Sequence, residues 1–217
     1  KRSHWIILPE SFPLLAVGLI ITVFTYVYWG WIPTVIPVLF LLFTCWFFRN
    51  PERKARAEAH EVLSPADGVV LAVESVEESR YLKKQAIKVS IFLNVFNVHV
   101  NRSPIEGRIE FVHYQPGKFL PAFKSHASEI NERNYVGIRS TGNPDWQLLV
   151  VQITGFVARR IVFWGELGQH LLQGQRFGMI KFGSCTEIYL PQDTEILVTQ
   201  GQKVKGGMTV IGRLQNG

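Results

Sequence analysis

The sequence predicts a mainly β chain of the α+β class. An antiparallel, β-sandwich-like domain follows an N-terminal transmembrane helical hairpin. Three observations predict this. No charged side chain occurs from Ser11 to Phe48. Short runs rich in β-branched residues recur through the rest of the chain, with turn residues between them. Helical periodicity is weak there, and strands joined by short turns without helices between them pair antiparallel. A chain of 217 residues suits one main domain plus an appendage.

The uncharged run is too long for one span of about 20 residues and suits two. Trp29-Gly30-Trp31-Ile32-Pro33 reads as the turn between them. The helices are expected at about 12–31 and 34–48, within an anchor of residues 1–50. The second arm is short, so a shallow, re-entrant hairpin stays open as an alternative. Lys1 and Arg2 precede the run, and Arg49, Arg53, Lys54 and Arg56 follow it. The positive-inside rule places both ends, and the domain of residues 51–217, on the cytoplasmic side of the cell membrane. No small-residue cleavage site follows the run, so a cleaved signal peptide is not expected.

The net charge of +6 suits an anionic lipid surface. No dense basic run occurs, so nucleic acid is not an expected partner. Cys45 and Cys185 are the two cysteines. One lies in the apolar arm and the other near the C-terminus, so neither a disulfide nor a zinc site is expected.

In order, strands are expected at 68–74, 86–93, 96–101, 107–114, 135–139, 147–154, 157–164, 186–190, 195–199 and 208–214. Ile87, Val89 and Ile91 alternate with Lys88 and Ser90, the pattern of a half-buried strand. Residues 166–173 are the best helical segment, and 119–131 a softer one. The stretch Gly201–Met208 has the turn-strand pattern of a lipoyl-like sandwich, but no Met-Lys-Met carrier site accompanies it.

Asp67, His99 and Ser184 supply a carboxylate, an imidazole and a hydroxyl, the groups that can activate a serine oxygen. An imidazole held by a carboxylate can take the serine proton, because its pKa lies near the operating pH. Asp67-Gly68 also reads as a plain hairpin turn, His99 as a strand histidine and Ser184 as a turn serine. Gly183 before Ser184 suggests an unusual target, the chain's own Gly183 carbonyl. Glycine removes side-chain obstruction at that crowded geometry. An N→O acyl shift turns the amide into an ester. Loss of the α-proton eliminates the ester and leaves a dehydroalanine, which hydrolyses to a chain-terminal pyruvoyl group. With that group an amine substrate forms a Schiff base, and loss of CO₂ places charge in the conjugated system. This is the role of pyridoxal phosphate without an added cofactor.

Six stretches, in order, resemble the phosphatidylserine decarboxylase proenzymes of the short, archaeal-type class. They are Phe47–Arg53, Ser64–Gly68, Phe96–Pro104, Asn131–Asn134, Gly155–Ile161 and Gly178–Ser184. The resemblance implies self-cleavage at Gly183-Ser184 into a β chain (1–183) and an α chain (184–217) that stay associated. It assigns Asp67, His99 and Ser184 to the self-cleavage triad, and makes Ser184 the pyruvoyl group, with no metal and no pyridoxal phosphate. The implied reaction converts phosphatidylserine to phosphatidylethanolamine and CO₂. A homodimer is a further expectation.

Two departures stand out. The larger class carries a second histidine where this chain has Phe96, which leaves the proton donor in decarboxylation unassigned among His99, His113 and His126. Cys185 follows Ser184, and it reads as a small filler because only a residue that loses a β-oxygen ester can become pyruvoyl. Phe96, Asn97, Lys118, Phe119 and Phe123 are candidate substrate-binding residues. In 117–124, Phe119, Leu120 and Phe123 can wedge into the lipid interface beside Lys118 and Lys124, or the loop can pack on the β core. Of Arg159 and Arg160, at most one can face a lipid phosphate, since adjacent strand residues point opposite ways. Two other readings remain on sequence grounds: a membrane-tethered lipoyl-like adaptor, and a serine hydrolase using the same triad. Against the second, no Gly-x-Ser-x-Gly elbow surrounds Ser184.

Overall fold

The computed structural model describes residues 5–118, 130–142, 145–155, 160–181 and 184–215. The chain forms two units, Lys1–Glu52 and Arg53–Gly217.

In the first unit, α1 (Phe12–Trp29) and α2 (Trp31–Phe47) are joined at Gly30. Gly30 has φ of 77°, a left-handed value that a side chain would disfavour, so the sharp turn needs glycine there. With its leading turn, the first helix spans Pro9–Trp29, 21 residues that include an 18-residue stretch of mean hydropathy 1.9, long and apolar enough to cross a membrane. The second apolar helix is shorter, at 17 residues. Its length of about 25 Å falls short of a hydrocarbon core of about 30 Å. The hydroxyls of Thr22, Thr25, Thr34 and Thr44 each donate to the carbonyl four residues back, so none is left unsatisfied on the apolar surface. The hairpin ends are tied by Leu8 N donating to Phe48 O at 2.9 Å and Asn50 N donating to Ile6 O at 2.7 Å.

The second unit is antiparallel throughout its described strand pairings. Its largest sheet contains β2 (Gly68–Glu78), β3 (Lys84–Leu93), β5 (Gly107–Gln115), β6 (Arg133–Ser140), β7 (Gln147–Thr154), β9 (His170–Leu171), β11 (Ser184–Pro191) and β13 (Lys203–Val204), in the order β13-β2-β3-β11-β7-β6-β5-β9. A three-stranded sheet holds β4 (Val100–Arg102), β10 (Arg176–Lys181) and β8 (Arg160–Phe163), in the order β4-β10-β8. Another holds β1 (Glu61–Leu63), β14 (Val210–Arg213) and β12 (Glu195–Ile196), in the order β1-β14-β12. Val89, Ile91, Val136, Ile138, Leu148, Val150, Ile188 and Leu190 turn one face of the large sheet into the main core. Tyr135, Leu149, Val151, Ile153 and Cys185 form a second cluster on alternate positions of the same strands, hence on the opposite face.

The expected class is the observed one, and several local expectations change, among them the following. Residues 166–173 are turns leading into β9, not a helix. Gly168 takes φ of 82°, and Gln169 N donates to Glu166 O at 3.0 Å. Leu171 is buried while Leu167 and Leu172 are exposed, so the segment has no helical apolar stripe. The strand expected over 96–101 begins at Val100, because Asn94 and Asn97 close a turn ahead of it. Phe96 N donates to Asn94 Oδ1 and Asn94 N to Asn97 Oδ1, both at 2.9 Å. Strand β10 was not expected at all. Gly178 lowers its β propensity, yet a Cβ there would lie 2.7 Å from Val162 O and 2.8 Å from Gln152 Nε2. The gap in the pattern is therefore a close approach of two layers. Of the softer helical segment, 119–129 lies outside the described residues.

Candidate active site

Ser184 opens β11 in the middle of the large sheet. It stands opposite Leu93 of β3 and Thr154 of β7. Ile188 and Leu190 share its side of the strand and lie in the main core, so the Ser184 hydroxyl faces inward. Ser184 is fully buried, and among the described residues its Oγ has no hydrogen-bond partner. A buried hydroxyl without a partner is rare in folded proteins.

A chain of buried amides backs this position. Asn134 Nδ2 donates to Gln152 Oε1 at 3.0 Å, and Gln152 Nε2 donates to Asn101 Oδ1 at 2.9 Å. Asn101 Nδ2 then donates to Thr186 Oγ1 at 3.0 Å. The chain joins β6, β7, β4 and β11, and so pins β4, with His99 just before it, to the large sheet. Thr154, opposite Ser184, is braced by its neighbours. Its N–H donates to Glu132 O at 3.1 Å, and its carbonyl accepts from Asn131 Nδ2 at 2.7 Å. Sequence reasoning gave Asn101, Gln152 and Thr186 no role. A signal was present for Gln152, a polar residue inside an apolar strand, but Asn101 and Thr186 sit beside other polar residues and stand out less.

His99 is 1 % exposed. Its carbonyl accepts from Ile180 N at 3.2 Å, and from Ile180 the chain reaches Ser184 in four residues. The ring's Nδ1 lies 3.0 Å from the Asn97 carbonyl. A carbonyl only accepts, so this contact assigns the proton to Nδ1 and leaves Nε2 as the basic nitrogen. Asn97, a candidate substrate residue, thereby orients the imidazole through its backbone.

Asp67 ends the turn before β2. Val69 pairs with Phe92 and Ser184 with Leu93, so Asp67 and Ser184 sit at the same end of the sheet across β3. Two strand spacings separate them, about 10 Å. The carboxylate does not meet the imidazole. Its Oδ1 accepts from Arg53 Nη1 and from Gly206 N (2.8 Å), and its Oδ2 accepts from Arg53 Nη2 at 2.9 Å. The structure thus brings the His99 and Ser184 segments together through β10, and places Asp67 in a separate clamp.

Phe96, at the tip of the Asn94–Asn97 turn, is 66 % exposed, and Lys118 is exposed beside its bridge to Asn131. Gly183, Phe119, Phe123, His126 and Arg159 lie outside the described residues. His113 packs between the rings of Phe111 and Tyr135, with the second cluster and away from the Ser184 face. Arg160 and Lys181 stand directly opposite each other in β8 and β10.

Cys185 points into the second cluster and is 3 % exposed. Burial pushes its thiol pKa far up, and the charge of nearby Glu187 adds to the shift. A protonated thiol is a poor nucleophile. Cys185→Ser is therefore expected to leave events at Ser184 within about threefold of the parent rate, with about 1–3 kcal/mol of stability lost to the buried hydroxyl. Intact-mass time courses and thermal melts check both.

Glu187 on the same face is 4 % exposed and accepts from Tyr189 Oη at 2.8 Å. Burial raises its carboxyl pKa, and the Tyr189 hydrogen bond and the charges of Lys88 and Arg133 only partly oppose this. A pKa raised by folding means stability that is present below the unfolded value, about 4.3, and lost as pH climbs through the folded value. Glu187→Gln should melt higher than the parent at pH 8 by a few degrees, on the order of 1–3 kcal/mol. The difference should vanish near pH 4.

Among the described residues, no group of three histidine, cysteine or acidic side chains could hold a metal ion. The family model for phosphatidylserine decarboxylase matches residues 40–212. The chain belongs to the phosphatidylserine decarboxylase family. Relatives named phosphatidylserine decarboxylase proenzyme include one from Carboxydothermus hydrogenoformans, 61 % identical over 85 % of both chains. Another from Symbiobacterium thermophilum is 51 % identical over 80 % of both. One from Nitrosomonas europaea is 44 % identical over 96 % of this chain and 95 % of its own. Membership of the decarboxylase family leaves the adaptor and serine-hydrolase readings without support.

Proposed function

We propose that the protein converts phosphatidylserine to phosphatidylethanolamine and CO₂ with a pyruvoyl group made from Ser184 by self-cleavage at Gly183-Ser184. One observation carries the reading: a fully buried serine hydroxyl without a hydrogen-bond partner among the described residues, next to a histidine segment whose ring is held with Nε2 basic. In the precursor, His99 takes the Ser184 proton as Oγ attacks the Gly183 carbonyl carbon. The Gly183–Ser184 amide breaks, its nitrogen takes a proton, and an ester joins Gly183 to Ser184 Oγ. Loss of the Ser184 α-proton expels the Gly183 carboxylate and leaves a dehydroalanine. Water then replaces its nitrogen, and ammonia leaves. The resulting pyruvoyl group supplies a ketone for the substrate amine and an electron sink for the charge left by departing CO₂.

The rest of the chain serves the same end in this reading. Residues 1–50 anchor the protein in the cell membrane with residues 51–217 on the cytoplasmic face, where Phe96, Lys118, Phe119 and Phe123 meet lipid. Fragments 1–183 and 184–217 stay together because β11 of the second lies between β3 and β7 of the first. Two copies associate as a homodimer, and a monomeric mass by sedimentation in detergent would remove that part of the proposal. Reductive trapping tests the function. Incubation with phosphatidylserine vesicles and cyanoborohydride should add the lipid's mass, less water and plus two hydrogens, to fragment 184–217 and abolish CO₂ release. Lipid mass on fragment 1–183, or continued CO₂ release from the trapped protein, would contradict it.

A further inference from the structure

Asp67 and Arg53 form a built contact that the chemistry above does not use. Their side chains are 10 % and 9 % exposed. Arg53 meets both carboxylate oxygens, the two-pronged geometry that a guanidinium favours. The same Nη1 also donates to Gly206 O at 2.7 Å, and Gly206 N returns a bond to Asp67 Oδ1 at 2.8 Å. Both polar groups of Gly206 are thereby held by this one ion pair. Space at Gly206 is tight, since a Cβ would lie 3.0 Å from Ala66 Cα and from its carbonyl carbon.

The clamp joins three stretches distant in sequence. Asp67 leads into β2, Gly206 follows β13, and β13 pairs with the start of β2 through Lys203 opposite Val69 and Val204 opposite Gly68. Gly68 is packed on β3, where a Cβ would lie 2.2 Å from Phe92 O. Phe92 and Leu93 pair with Cys185 and Ser184. The clamp therefore fixes the end of the sheet at which Ser184 begins. The His99 ring is held separately, by the Asn97 carbonyl.

We infer that Arg53 is a positioning residue for self-cleavage, and that Asp67 acts through its clamp with Arg53 and Gly206 rather than by holding the His99 ring. The inference rests on the reading that the chain cuts itself at Gly183-Ser184. Removing Arg53 leaves a buried carboxylate with one N–H donor, a costly state that moves the Asp67 loop. Removing Asp67 leaves the guanidinium and Gly206 N–H equally short of partners. The two losses break one object, so they should not multiply.

The test is the self-cleavage rate of the full chain, followed by intact mass for the parent, Arg53→Gly, Asp67→Asn and the double variant. A parent that does not cleave sinks the proposed function and leaves the clamp to be judged by melting alone. With a cleaving parent, each single variant should be slowed at least about tenfold, equivalent to about 1.4 kcal/mol. The double variant should be no slower than the slower single. Millimolar guanidinium should restore cleavage to Arg53→Gly and leave Asp67→Asn unchanged, which a general loss of stability would not reproduce. If Arg53→Gly fails to fold, Arg53→Lys serves. It keeps the charge but loses the two-pronged contact, and should be slowed at an unchanged melting temperature. Single-variant rates within twofold of the parent, fully multiplicative losses, or no guanidinium rescue of folded Arg53→Gly would overturn the inference.

Discussion

A Ser184→Ala chain remains a single species of full length and releases no CO₂ from phosphatidylserine. Alanine has no oxygen to accept the Gly183 acyl group, so no ester, no elimination and no ketone can follow. The loss is complete rather than partial, because the same residue is nucleophile first and raw material for the reactive group afterwards. The variant also folds at least as well as the uncleaved parent. Ser184 Oγ has no hydrogen bond to lose among the described residues, and it lies in a buried setting. Removing an unsatisfied buried hydroxyl changes stability by about 0–2 kcal/mol in the favourable direction. An uncleaved, inactive chain that melts at or above the parent temperature separates chemistry from folding. Any cleavage between residues 183 and 184 in this variant would refute the role given to the hydroxyl.

His99→Ala carries the second large effect. Its self-cleavage should slow by about 10²–10⁴-fold, the usual contribution of a positioned general base. The backbone link from Ile180 N to His99 O does not depend on the side chain, and the Asn134–Gln152–Asn101–Thr186 chain bypasses it. The β4–β10 contact should therefore survive, and circular dichroism should match the parent. Intact-mass time courses over hours give the rate. A His99→Ala chain that cleaves at the parent rate would remove the imidazole from the mechanism.

Parts of this architecture were plain in the residues, and others depend on contacts that no pattern encodes. The absence of charge from Ser11 to Phe48 announces the two apolar helices, because a buried or lipid-facing helix has no place for unpaired charge. The alternation of Ile87, Val89 and Ile91 announces β3, and these positions follow the inward face of the sheet. β10 escaped because Gly178 breaks its apolar pattern to admit the Gln152 amide. The apparent helix at 166–173 failed because Gly168 turns the chain with a positive φ. At the site, the residue types Asp67, His99 and Ser184 were legible, but their contacts were not. The group that orients the imidazole is the main-chain carbonyl of Asn97, which carries no side-chain signature. The partner of Asp67 is Arg53, whose position after the apolar run made it look like a flanking charge of the membrane segment.

The most direct measurement of the central claim is the intact mass of the purified full-length protein. The account predicts two species, 1–183 and 184–217. The smaller should be lighter by one ammonia than the product of simple hydrolysis, and its N-terminus should be refractory to Edman degradation. A single full-length mass that persists through long incubation, or a smaller fragment that begins with an intact serine, would contradict it.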